Sequence, residues 1–221
     1  MPSRPFRVST VVSLALLTLA CGGTPAPAAP SPASQHPTEP VRPFAAAVFA
    51  GQSIAVLPQT MVLAGDTLGR VPPLGDRATA LAWADSLVGA ELLARGPEVK
   101  WVLPAELRRV ARRAPAVAPD PDRMGQSLLR AHQLEDVPDP LRGQLRTLMA
   151  LLGGRFALVP AAIQFLPETA GTMRAEVSMV LADARTGKVV WRTVTWGTGA
   201  TPAEALTRAM QLVLPAGLDI R

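Results

Sequence analysis

Apolar and polar residues alternate from Met173 to Trp196, MRAEVSMVLADARTGKVVWRTVTW. Ala175, Val177, Met179 and Leu181 are interleaved with Glu176 and Ser178, the period-2 pattern of a half-buried strand. On the return, Val190, Val194 and Trp196 alternate with Trp191, Thr193 and Thr195. Arg185-Thr186-Gly187-Lys188 joins the two runs, and Gly187 supplies the positive φ of a short hairpin turn. Upstream the period changes to that of helices. Asp76 predicts a capped helix running to about Arg95, with Leu81, Ala84, Val88 and Leu92 on one face and Gly96-Pro97 as the stop. A second helix is expected over Ala105 to Arg113. Asp120-Pro121 opens a third, ending near Leu134, and Asp139-Pro140 a fourth, with Leu141, Leu145, Leu148 and Leu152 in a stripe ended by Gly153-Gly154. Thr201-Pro202-Ala203-Glu204 is a capping box that starts a last helix to about Leu214.

Between these helices, short apolar runs read as strands at Gln52 to Pro58, Val99 to Pro104 and Arg155 to Leu166, and a further strand over Phe44–Ala50 is compatible with the pattern. The first three end alike, in Val56-Leu57-Pro58, Val102-Leu103-Pro104 and Leu158-Val159-Pro160, which reads as strand ends meeting loops on one side. The order is β-α-β-α-α-α-β-β-β-α. It predicts a single α/β domain over residues 44–221, with a mixed sheet, a late antiparallel hairpin and a C-terminal helix.

The first 43 residues follow no such pattern. Arg4 and Arg7 precede the apolar run Val11 to Ala20, a signal peptide over residues 1–20 and too short for a comfortable membrane span. Residues 21–43 are rich in Pro, Ala and Ser and read as an extended tether, which at about 3.1 Å per residue reaches tens of Å. Leu17-Thr18-Leu19-Ala20-Cys21 ends the apolar run, and Cys21 is the only cysteine. This stretch resembles the bacterial lipobox, with Thr18 where leucine is usual. The resemblance implies cleavage before Cys21 and lipidation (palmitate among the acyl chains) of that residue. The absence of aspartate after Cys21 implies the outer membrane, facing the periplasm.

Charge and chemistry narrow the function. Removing Arg4 and Arg7 from the formal +5 leaves 20 basic against 17 acidic residues, too little excess to point to nucleic acid. The histidines, His36 and His132, lie apart, so no metal cluster is expected and no cofactor is implied. No phosphate-binding glycine motif is present, and Gly51-Gln52-Ser53 and Gly65-Asp66-Thr67-Leu68-Gly69 imitate a nucleophile elbow only loosely. Asp120, Asp122, Glu135, Asp136 and Asp139 form an acidic stretch that helix capping largely explains. Arg108, Arg109, Arg112 and Arg113 crowd one helix at spacings that share a face. They suit a contact with an acidic partner or anionic lipid head groups, or a solvated face.

Ser53 to Pro58, Leu181 to Trp191 and the terminal helix together resemble the α/β domain of bacterial outer-membrane lipoproteins: the curli-secretion lipoprotein, the penicillin-binding-protein activator, and the amino-terminal domain of the Tol-system periplasmic protein. The resemblance implies a non-catalytic module that binds another envelope protein, anchored to the membrane by its N-terminal lipid. Asp183 to Trp191 also looks like a blade motif of quinoprotein-type propellers, but it occurs once, among helices, which excludes that fold. An envelope hydrolase acting on peptidoglycan or glycan, and a homo-oligomeric secretion component, stay open as alternatives.

Overall fold

The structure, a computed structural model, describes residues 41–215. The expected signal peptide, Cys21 and nearly all of the tether lie outside the described residues.

Six strands make one mixed sheet: β1 (Ser53–Val56), β2 (Val62–Ala64), β3 (Lys100–Val102), β4 (Phe156–Pro167), β5 (Met173–Asp183) and β6 (Lys188–Gly199). Their order is β3-β1-β4-β5-β6, with β2 paired to β4 off that path. β1 runs parallel to β3 and β4, while β4, β5 and β6 form an antiparallel meander. The α/β architecture and the late hairpin are as the residue pattern predicts. β2 is an addition, three residues long and without alternation to announce it. It pairs with the far half of β4 (Val62 beside Ile163), whereas β1 pairs with the near half (Val56 beside Leu158). Both are parallel to β4, so one interrupted strand line flanks it, broken at Pro58-Gln59-Thr60-Met61. Pro58 and Pro104 stand just beyond β1 and β3, as expected of strand ends. Pro160 does not end β4: the strand runs on through a register shift between Pro160 and Ala162, a bulge at a residue with no N–H to donate.

Four helices cover the sheet: α1 (Arg77–Arg95), α2 (Pro104–Arg113), α3 (Leu141–Leu152) and α4 (Pro202–Val213). α1 begins where Asp76 Oδ2 accepts from the Thr79 N–H at 2.7 Å. With α4 it buries one face, where Ala84, Val88, Leu92, Leu206 and Met210 meet Ile54, Val56, Phe165, Val177 and Leu181. The second face joins Leu107, Leu141, Leu145 and Leu148 of α2 and α3 to Leu57, Ala157, Val159, Val180 and Ala182. Each such Val, Leu, Ile, Phe or Met side chain, fully buried, contributes roughly 1.5–3 kcal/mol.

Three expectations are corrected. The stretch Phe44–Ala50 holds a 3-10 turn, Ala46–Phe49, in place of a strand. The helix expected after Asp120-Pro121 is two 3-10 turns, Pro121–Arg123 and Gln126–Arg130, separated where Gly125 takes φ +78°. Asp120 still caps the first, accepting from the Asp122 N–H at 3.0 Å. Before α3 the cap position belongs to Pro140 and carries no side-chain hydrogen bond, so Asp139 is not the cap.

On β6 the polar side of the alternation is the inner one. Thr193 and Thr195 are buried while Val190 is exposed. The cause is α4, which lies against the strand at backbone range: a Cβ on Gly197 would run into backbone atoms of Ala205, Arg208 and Ala209. Small and β-branched residues fit under so close a helix.

Candidate functional site

The four arginines occupy α2 and do not form one cluster. Arg108 turns inward. Its Nη2 reaches Asp85 Oδ2 at 2.7 Å and Asp122 Oδ1 at 2.6 Å, and its Nε reaches Asp122 Oδ2 at 2.9 Å. Asp85 also accepts from the Gln59 N–H at 2.6 Å, where the chain leaves β1. Burial pushes the Asp85 carboxyl above its ordinary range, outweighing the amide and the guanidinium that pull it down. Arg108 is held more firmly in its charged form, chiefly by Asp122. This ion network ties α1, α2 and the Pro121–Arg123 turn together and commits the Arg108 guanidinium within the chain. Arg109 pairs with Glu106 one turn back.

Arg112 and Arg113, in the last turn of α2, are exposed and make no ion pair among the described residues. Their charge complements the helix C-terminus. Beside them Val117 is 64% exposed, and a groove of about 350 Å³ runs between Ala111, Arg112, Pro115, Ala118 and Pro121. Arg108, Asp120 and Asp122 complete the lining, so a rim of mixed charge surrounds an apolar floor. The spacing of the four arginines was legible in the sequence; the sequestering of Arg108 was not, because Asp85 and Asp122 lie 23 and 14 residues away.

A second concavity lies on the α2/α3 side of the sheet, over its far half, where α2 and α3 do not reach. It measures about 290 Å³ and is lined by Arg130, Ala162, Gln164, Glu176, Ser178 and Val194, with His132 at its wall. Its floor is strand: Gln164 stands beside Glu176, and Ala162 beside Ser178, across β4 and β5. Next to it Arg174, 2% exposed, ion-pairs with Glu168 at 3.2 Å and Glu176 at 3.1 Å. The sequence marked Glu176 and Ser178 only as the polar side of a strand. Among the described residues no three His, Cys, Asp or Glu side chains gather as a metal site would require, and no helix is long and apolar enough to cross a membrane.

No protein-family model matches the chain, and no curated protein matches it. Solved structures do. Over 66% of this chain and 82% of the other, it is similar to the C-terminal domain of LpoB from Salmonella enterica, at 14% identity and a TM-score of 0.36. It is similar to the PelC dodecamer from Paraburkholderia phytofirmans over 80% of this chain and 92% of that one, at 15% identity and a TM-score of 0.37. Lipoprotein GNA1162 from Neisseria meningitidis matches over 65% and 78%, at 15% identity and a TM-score of 0.31. At scores this low a likeness shows neither a shared site nor a shared partner. LpoB is a penicillin-binding-protein activator lipoprotein, so the structures this chain is similar to include the group that its sequence motifs resemble.

Proposed function

We propose that this chain is a cell-envelope lipoprotein, anchored through a lipid on Cys21 at the outer membrane and facing the periplasm, that binds another envelope protein and performs no chemistry of its own. The observation that carries the binding part is the exposed end of α2: Arg112, without an ion pair among the described residues, lines a groove with an apolar floor, and the exposed Arg113 and Val117 follow it in the chain. Such a surface, with Arg112 set against Asp120 and Asp122, suits an apolar anchor in a charged rim on a protein partner better than a flat anionic bilayer, because the groove rewards a side chain that enters it. Arg108, tied to Asp85 and Asp122, and the exposed Arg109, paired with Glu106, are already engaged within the chain. The anchoring part rests on the lipobox resemblance around Cys21.

A photo-crosslinking residue placed at Val117 tests the binding part. One discrete protein adduct is expected in intact cells, and the double substitution Arg112→Glu with Arg113→Glu is expected to abolish it without lowering the melting temperature. Adduct formation indifferent to that charge reversal overturns the assignment, as does crosslinking to lipid alone. For the anchor, Cys21→Ser is expected to release the protein into the soluble fraction; retention on the membrane overturns it.

A further inference from the structure

We propose that the concavity over the far half of the sheet is a binding site for an amino-acid zwitterion: a ligand carrying an ammonium and a carboxylate a few Å apart, either free or as the end of a larger molecule. This inference does not rest on the protein-binding surface at α2, which involves none of the same residues.

Three observations converge. The first is an unmet hydrogen bond. Ser178 lines the concavity and is 8% exposed, and its Oγ, itself turned away from solvent, has no hydrogen-bond partner among the described residues. A buried hydroxyl without a partner is costly, and a strand residue fixed between β4 and β6 has little freedom to seek another. A polar ligand in the concavity meets that need once the Ser178 side chain turns its Oγ toward it.

The second is a pair of unmatched charges of opposite sign. The buried Arg174 answers two partly exposed carboxylates, Glu168 and Glu176, with one guanidinium, so the three together are left one negative charge in excess. Glu176 brings that excess to the floor of the concavity. On the wall, the exposed Arg130 makes no ion pair among the described residues; its guanidinium touches Met61 Sδ at 3.5 Å. A carboxylate that shares one guanidinium with Glu168, and a guanidinium without an ion pair among the described residues, therefore border the same space. A simple anion would satisfy Arg130 and be repelled by Glu176, and a simple cation would do the reverse. A ligand with both charges matches both ends, its ammonium toward Glu176 and its carboxylate toward Arg130, with Ser178 and Gln164 between them to donate and accept.

The third is size and rigidity. About 290 Å³ is the room for one residue-sized ligand. Ala162 and Val194 give the floor a small apolar area for a methyl or methylene group. Gln164, Glu176 and Ser178 stand on paired strands, so the polar groups keep their spacing without a ligand.

Isothermal titration calorimetry of the full-length protein in detergent tests the site. L-alanine and D-alanine are titrated beside N-acetyl-L-alanine and L-alanine amide, each of which has lost one charge. Saturable binding of at least one alanine enantiomer is expected, with each blocked form at least about tenfold weaker. Nε-acetyl-L-lysine, whose α-ammonium and α-carboxylate are free on a blocked side chain, separates the two sources: binding equal to alanine points to the end of a larger molecule, and much weaker binding to a free amino acid. Arg130→Gln is expected to weaken alanine about tenfold and to erase its advantage over alanine amide. Ser178→Ala is expected to weaken it by a similar factor while leaving the melting temperature unchanged or higher, since the hydroxyl it removes has no internal partner. No heat from either alanine at about 10 mM, blocked forms that bind as well as the zwitterion, or two variants indistinguishable from the parent overturns the assignment.

Discussion

The two halves of the sheet are built differently, and β5 runs through both. On the α2/α3 side, its residues Val180 and Ala182 pack under α2 and α3, whereas Arg174, Glu176 and Ser178 on the same side of the same strand lie beyond those helices. On the opposite side Ala175, Val177, Met179 and Leu181 stay apolar along the whole strand, because α1 and α4 cover it from end to end. A strand thus records, position by position, how far its covering layer extends. Where the helices stop, polar residues begin, and the fold keeps an open half-face available for binding without weakening the sheet beneath it.

Matched substitutions can break this contrast. The largest effect is expected in the doubly covered half: Leu145→Ala, at a fully buried position of α3, should cost about 3 kcal/mol, read as a shift of the urea midpoint at constant slope. A cost below 1 kcal/mol, on the order of a surface change, would mean that α3 is not part of the cooperative core. Next comes the α4 contact. Gly197→Ala should cost about 2 kcal/mol, because the added methyl meets helix backbone that cannot swing aside; circular dichroism melts would show it, and an unchanged melt would deny the close approach of α4 and β6. Smaller again is the hairpin anchor. Asp183 is held below its usual carboxylate range, first by the Arg155 guanidinium at 2.7 Å and then by the amides of Arg185 and Thr186. Its pKa is lower folded than unfolded, so the stabilisation is complete above the unfolded value of 3.8 and fades as pH falls through the lowered folded one. Asp183→Asn should therefore cost about 1.5 kcal/mol at pH 7 and flatten the acid side of the stability profile; an equal loss at pH 7 and pH 2 would contradict this. Leu63→Ala, on the short strand of the open half and 40% exposed, should change stability by less than about 0.5 kcal/mol. A cost near that of Leu145→Ala would show that something covers this half after all.

How much of this could be read from the chain depends on the distance over which each cause acts. Local causes were legible. The turn at Gly187, φ +75°, the Asp76 cap, and the Thr201 hydroxyl that accepts from the Glu204 N–H at 3.2 Å are each settled within four residues. Gly125 was equally local, yet its positive φ broke the helix expected around it, so a single glycine outweighed the cap before it. Causes acting across the sheet were not legible. Nothing near Thr193 announces that α4 will lie on it, and the three residues of β2 owe their pairing to β4, a hundred positions later. The candidate sites divide the same way. Four arginines at helical spacing pointed to α2, but which of them remain outward was decided by Asp85 and Asp122. The concavity needed β4, β5 and the turn bearing Arg130 side by side, and no stretch of sequence holds all three.

The contact where the described chain begins has a mechanical consequence. The Phe44 N–H donates to the Val213 carbonyl at 2.7 Å, and its ring lies 5.1 Å from that of Trp191, 5.2 Å from that of Phe49 and 5.9 Å from that of Trp101. Just before it, the Trp191 indole donates to the Arg42 carbonyl at 3.1 Å. Tension applied to the chain ahead of Arg42 is therefore taken first by this aromatic clasp, which grips the incoming backbone against β6 and the end of α4. The load spreads into side chains from three separate elements before it can peel a strand, and the sheet behind the clasp feels the pull last.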